Sequence, residues 1–186
     1  MVGSAVLGGG LGAREWVLNA QVPPGYAGLD PEGHLRRLAG AAGAEGPGMG
    51  LMTAARVAAY GECEDGGVRA VVTSGLGVTT WAAAPGEGGV AVPAPGTVNI
   101  LVSVPVPLSD AALVNAVATA TEAKVQALLE AGYDCSGTPT DAVVIAAHAP
   151  GDDAPHPEPF AGPRSLWGAR LARAVHTAAH RSFTAC

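Results

Sequence analysis

From Gly96 the chain reads as an extended apolar segment (TVNILVSV), a long helix (SDAALVNAVATATEAKVQALLEAG), a loop of small and polar residues (CSGTPTD) and a second extended segment (AVVIAA). Two strands separated by a helix return to one sheet through a crossover, so this part of the chain demands a sheet with a helix laid across it. Its polar residues are few and sited. Asn99 interrupts an otherwise apolar strand, Ser109 stands where a helix N-cap belongs, and Asp110 meets the positive end of the helix dipole. On a wheel of about 100° per residue, Asn115, Thr119, Glu122 and Gln126 form a polar stripe, while Leu113, Val117, Ala120 and Leu128 form the apolar face. Lys124 falls in the middle of that apolar face. A buried, unpaired ammonium is costly, so Lys124 either snorkels to water along its stem or is paired in a site.

The remaining chain is punctuated by Gly and Pro. Residues 2–12 begin as a strand and end in a glycine run, but they match neither the GxxxxGK[ST] phosphate loop nor the GxGxxG dinucleotide spacing. Residues 15–22 read as a strand containing Asn19, followed by the turn Pro23-Pro24-Gly25-Tyr26. Asp30 and Pro31 open a helix expected to reach about Ala42. After the break at 46–50, LMTAARVAAYGE reads as an extended run that includes Thr53, and Gly66-Gly67 as a hairpin turn into VRAVVTSGLG. Residues 79–96 read as a loop around Trp81, 149–163 as a flexible, Pro-rich acidic connection, and Ser165 to about His180 as a last helix. The expected architecture is a single α+β (or α/β) domain over residues 1–186, a mixed β-sheet covered by helices.

Composition narrows the function. The net charge of −6 and ten scattered basic residues argue against nucleic acid as a partner. Every apolar run is broken before it reaches a membrane span, and the N-terminus carries no leader-like pattern, so no membrane association and a cytoplasmic location are the expectation. Cys63, Cys135 and Cys186 are odd in number and far apart, and the five histidines are scattered, so no metal or cofactor site is expected. The sequence carries no signal of oligomeric state.

Against this apolar, charge-poor background the residues that stand out are Asn19, Asp30, Thr53, Asn99, Thr121, Glu122, Lys124, Thr138, Thr140 and Asp141. Asn and Thr near strand ends also cap turns, and Asp141 fits an Asx-turn, so each alone has a structural explanation. Together they suit a small molecule read by neutral donors and acceptors on an apolar floor. Glu122 or Asp141 is a candidate base, Lys124 a charge stabiliser, and Thr53, Thr138 or Thr140 a positioning hydroxyl or a nucleophile. Glu122 and Lys124 lie two positions apart, about 160° around a helix, so they are not each other's partners. Asp141 is the expected partner of Lys124. Asn99, Glu122, Lys124 and Asp141 are expected to line one pocket, with Asn19, Thr53, Thr121, Thr138 and Thr140 contacting the substrate.

The runs VLNAQVPPGY, GLMTAA, PGTVNILV, LVNAVATATEAKVQAL and GTPTDAVV, in this order across roughly residues 4–148, resemble the adenosylcobinamide amidohydrolase family of corrinoid salvage. The resemblance implies a corrinoid substrate and hydrolysis of the amide that joins the aminopropanol arm to the corrin ring's propionate, giving adenosylcobyric acid. Pseudocobalamin-type corrinoids are further substrates on this reading. It implies no resident cofactor, since the corrinoid cobalt belongs to the substrate. Two alternatives stay open: a non-catalytic corrinoid- or nucleotide-binding protein on the same fold, and an acyltransferase with a threonine nucleophile.

Overall fold

The computed structural model describes residues 1–84, 96–149 and 156–184. Its elements are β1 (Val2–Gly3), β2 (Gly10–Leu11), β3 (Trp16–Gln21), α1 (Pro31–Ala41), β4 (Gly48–Thr53), β5 (Gly61–Asp65), β6 (Val68–Gly75), β7 (Thr97–Val104), α2 (Asp110–Glu130), β8 (Ala142–Ala147) and α3 (Leu166–Thr184). Six strands form one mixed sheet in the order β2-β1-β8-β7-β6-β5, and β3 pairs with β4 in a second sheet. The expected crossover is present, because β7 and β8 pair in parallel with α2 between them. A second one, β3-α1-β4, is also parallel.

Side-chain alternation explains how these pieces stack. Along β7, Val98, Ile100, Val102 and Val104 face the main core with Ala120, Leu128 and Leu171 of the helices, whereas Leu101 packs on the other face with Val17, Met49 and Leu51. Trp16, Leu18 and Ala20 of β3 turn away toward Leu35 of α1. The layers therefore run α1, two-stranded sheet, six-stranded sheet, and finally α2 with α3. The fold is an α+β domain with a mixed sheet, as expected, and a second sheet that the sequence reading did not separate.

Ser109 accepts from the Ala112 amide at 3.1 Å as the N-cap of α2. The helix ends at Glu130, and the chain turns back through Gly132, whose φ of 87° is in the left-handed region. Its inner face is mostly alanine, which lets α3 approach closely through Ala174, Ala178 and Ala179. Two expectations need correction. The extended run expected from Leu51 onward stops at Thr53, because Thr53 Oγ captures the Ala55 amide at 3.0 Å and turns the chain. In the expected 149–163 connection, residues 150–155 lie outside the described residues, but Ala161 is fully buried against α2. Thr119 donates to its carbonyl at 2.8 Å and Asn115 accepts from its amide at 3.2 Å, so this part of the polar stripe faces protein rather than water.

Candidate active site

A cavity of about 580 Å³ opens where β3 and β4 end and β7 and β8 begin, at the seam between the two sheets. Thr53 and Ala54 follow from β4, Pro23 and Tyr26 from the turn after β3, Thr97 from β7, and Thr140 and Asp141 from the loop before β8. Asp141 is the carboxylate among the described lining residues.

Lys124 reaches Asp141 from the sheet-facing side of α2, its Nζ donating to Oδ2 at 2.5 Å, and the two side chains are only 7% and 15% exposed. Asp141 Oδ1 also accepts from the Val98 amide at 2.9 Å and from the Thr138 hydroxyl, and Oδ2 from the Thr138 amide at 3.2 Å. These four donors fill the acceptor positions of a carboxylate. A side chain at Gly137 would run into both Asp141 Oδ2 and the Lys124 ammonium, so the loop passes the ion pair only as glycine. The loop and strand are thus clamped around one anionic group.

Beside it, Thr140 Oγ donates to the Gly96 carbonyl at 2.8 Å, which assigns the 2.7 Å bond between the two hydroxyls to donation from Thr97. Both hydroxyl protons are used, so what these hydroxyls have left to offer is lone pairs, as acceptors. Thr53 and Ser4 are the converse case. Thr53 Oγ accepts from the Ala55 amide and Ser4 Oγ from the Val143 amide at 3.1 Å, which leaves each hydroxyl proton to donate.

Asn19 of β3 and Asn99 of β7 meet between the sheets. Asn99 Nδ2 donates to Asn19 Oδ1 at 2.8 Å and to the Met52 carbonyl at 3.1 Å, and Asn19 Nδ2 donates to Thr73 Oγ at 3.0 Å. Because the Met52 carbonyl only accepts, the orientation of the Asn99 amide is set by the network. Among the described residues its Oδ1 has no hydrogen-bond partner, in a residue 1% exposed. Leaving such a group unsatisfied costs about 1–3 kcal/mol, a cost retained at the edge of a cavity.

The expected site residues therefore divide by position. Thr53, Asn99, Thr140 and Asp141 line the cavity, and Asn19, Thr138 and Lys124 stand behind it, each hydrogen-bonded to a lining residue. Glu122 and Thr121 are not brought there. Both are exposed on α2, where Thr121 donates to the Val117 carbonyl at 2.9 Å and Glu122 faces a separate groove with Arg173 and His176. The expected convergence of Glu122 with Asp141 is thus corrected: once α2 turns Lys124 inward, helix geometry turns a residue two positions away outward. Lys124 itself does not line the cavity, and its charge is directed at Asp141.

The adenosylcobinamide amidohydrolase family model matches residues 1–186. The chain belongs to that family. It is 34% identical over 177 residues to an adenosylcobinamide amidohydrolase of Methanosarcina mazei, covering 92% of this chain and 84% of the relative. It is also 49% identical over 63 residues to one of Halobacterium salinarum, covering 33% of this chain and 26% of that protein. No solved structure matches. Membership in this family makes the chain an amidohydrolase, a class that needs a base, an oxyanion stabiliser and an acid for the departing amine.

With that requirement in view, three lining residues were missed in the sequence. Ser4 and Thr97 have no signal of their own, since a hydroxyl at a strand end is ordinary. Tyr26 did carry one: a half-buried tyrosine held in a Pro-Pro-Gly turn just before a helix is a rigidly delivered phenol. Among the described residues no group of three or more His, Cys, Asp or Glu is arranged to hold a metal, and no helix is long and apolar enough to cross a membrane.

Proposed function

We propose that this cleft hydrolyses the amide through which adenosylcobinamide carries its aminopropanol arm, releasing aminopropanol and adenosylcobyric acid. The observation that carries the reading is one largely shielded carboxylate, oriented by a lysine, on the wall of a cavity whose other polar groups, among the described residues, are neutral. A corrinoid is fringed by uncharged amides, which Asn and Thr groups read better than charges do. The cavity takes the amide arm and the adjoining ring edge. The corrinoid cobalt stays with the substrate and enters none of the steps.

Asp141 acts as the base toward water. Its acceptor positions are filled, so one bond must yield, and the Thr138 hydroxyl is the donor that can leave by rotation about a single side-chain bond. Lys124 holds the carboxylate as a positioning residue, while the Thr53 and Ser4 hydroxyls are free to donate to the oxyanion. The Thr97–Thr140 pair supplies acceptors to substrate N–H groups, and Asn99, bonded to Asn19, fixes the wall beside them. Pseudocobalamin-type corrinoids, which carry the same linkage, fall within the proposal. An acyl-enzyme on Thr138 is a second reading, favoured by the hydroxyl's bond to Asp141 and opposed by its place behind the cavity wall.

Mass spectrometry of adenosylcobinamide incubated with the protein tests these readings together. Wild-type protein is expected to yield adenosylcobyric acid and aminopropanol, and Asp141→Asn to lose about 10²–10⁴-fold in kcat. Unchanged substrate that stays bound would replace the hydrolase with the non-catalytic reading, and an adduct on Thr138 would replace water with threonine as the nucleophile.

A further inference from the structure

We propose that Tyr26, backed by His34, is the acid that protonates the departing amine, an inference that rests on the hydrolysis proposed above. Among the described residues lining the cleft, Asp141 and Tyr26 are the ones whose side chains exchange a proton, and they come from different layers of the fold. Amide cleavage requires both a group that takes a proton and one that gives a proton. Asp141, held as an anion acceptor by four donors, fits the first role, and Tyr26 is the second proton-exchanging side chain on the wall, available to donate as the C–N bond breaks.

The phenol is held for this task. The turn that carries it closes with the Tyr26 amide on the Pro23 carbonyl at 3.1 Å, and Gly25 at its corner has φ of 80°. The Tyr26 hydroxyl meets His34 Nδ1 at 3.0 Å, with the two rings tilted by 33° at a centroid distance of 5.4 Å. His34 sits in the first turns of α1, whose start is fixed by Asp30 accepting from the Gly33 amide at 2.8 Å. Gly28 leaves room for the hydroxyl, since a side chain there would strike the phenol oxygen. With Nδ1–H on His34 donating to the phenol oxygen, the hydroxyl proton is free to point into the cleft.

The step balances with the residues named. Water gives a proton to Asp141 as its oxygen bonds to the amide carbon. On collapse of the tetrahedral intermediate the C–N bond breaks, its electron pair goes to nitrogen, and nitrogen takes the Tyr26 hydroxyl proton, leaving a phenolate stabilised by His34 Nδ1–H. The new carboxylic acid returns a proton to the phenolate, and Asp141 passes its proton to the free amine. The products are a carboxylate and an ammonium ion.

A leaving-group comparison tests the assignment. The probes are adenosylcobinamide and an analogue whose amide is replaced by a p-nitrophenyl ester, which departs without needing a proton. Tyr26→Phe is expected to lower kcat on the amide about 10²-fold or more with KM within a few-fold of wild type, and to leave the ester rate nearly unchanged. His34→Leu should follow Tyr26→Phe, and His34→Asn, which keeps a donor near the Nδ1 position, should recover part of the loss. Equal losses on amide and ester, or an undiminished amide rate in Tyr26→Phe, would overturn the role while leaving the hydrolysis standing. Absence of turnover by the wild-type chain would overturn both. Melting temperatures of the variants within a few degrees of wild type separate this chemistry from a loop that has merely come loose.

Discussion

Replacing Lys124 by methionine keeps the stem that packs on α2's inner face but strands the Asp141 carboxylate, which is only 15% exposed. Breaking one side of such a buried pair costs about 3–5 kcal/mol, since the remaining charge must be desolvated without its partner. Lys124→Met is therefore expected to lower the urea midpoint markedly as well as the activity, whereas Glu122→Gln, on the exposed side of the same helix, should stay within about 0.5 kcal/mol and keep wild-type kcat. Denaturant unfolding alongside turnover checks both. A Lys124→Met protein as stable as wild type would mean that the pair contributes nothing to the fold. The contrast shows what the sequence could resolve at single positions. The wheel put Lys124 on the buried face and excluded a Glu122 partnership, so Asp141 emerged as the partner from residues alone. It could not say that Lys124 would spend its charge behind the cavity wall, because that depends on how far the 136–141 loop folds back over α2.

At the scale of elements, the alanine-rich faces of α2 and α3 make close approach the main packing device, and small residues opposite them become obligatory. Gly61 of β5 is the clearest case. A methyl group there would press into the Ala178 carbonyl and the Ser182 amide of α3, backbone atoms that cannot rotate away. Gly61→Ala is expected to destabilise by about 1–3 kcal/mol or more, read as a lower melting temperature with catalytic parameters of the folded fraction unchanged. A neutral effect would show that α3 can slide on the sheet. The β7-α2-β8 crossover, the β5–β6 hairpin and the caps at Asp30 and Ser109 were legible because each rests on local chemistry, whereas the β3-α1-β4 crossover was not, since Gly48 and Gly50 read as a break although they belong to β4. The separation of β3 and β4 into their own sheet was not, since nothing local tells a strand which neighbours it will pair with. The ordering of Ala161 against Asn115 and Thr119 was hidden for the same reason: a polar stripe on a helix reads alike whether water or a returning backbone satisfies it.

For the whole molecule, the site is a seam. Residues of β3, β4 and the turn after β3 belong to one sheet and those of β7 and β8 to the other, and Asn19 bonded to Asn99 ties them at the cavity's edge. A ligand seated there contacts both sheets and should stabilise the fold by mass action, about 2.7 kcal/mol at a free concentration of 100 Kd. For a domain of this size that corresponds to roughly 5–11 °C in melting temperature. The product adenosylcobyric acid, which cannot be turned over, is the ligand to use, and an adenine nucleotide alone should give no comparable shift, because the cleft lacks a cationic lining group among the described residues. Asn99→Ala removes the tie and the orphaned acceptor together, so its own melting temperature should fall while the shift induced by the corrinoid shrinks. An undiminished shift in Asn99→Ala would place the corrinoid away from the seam, and a shift with the nucleotide equal to that with the corrinoid would favour nucleotide binding over corrinoid hydrolysis.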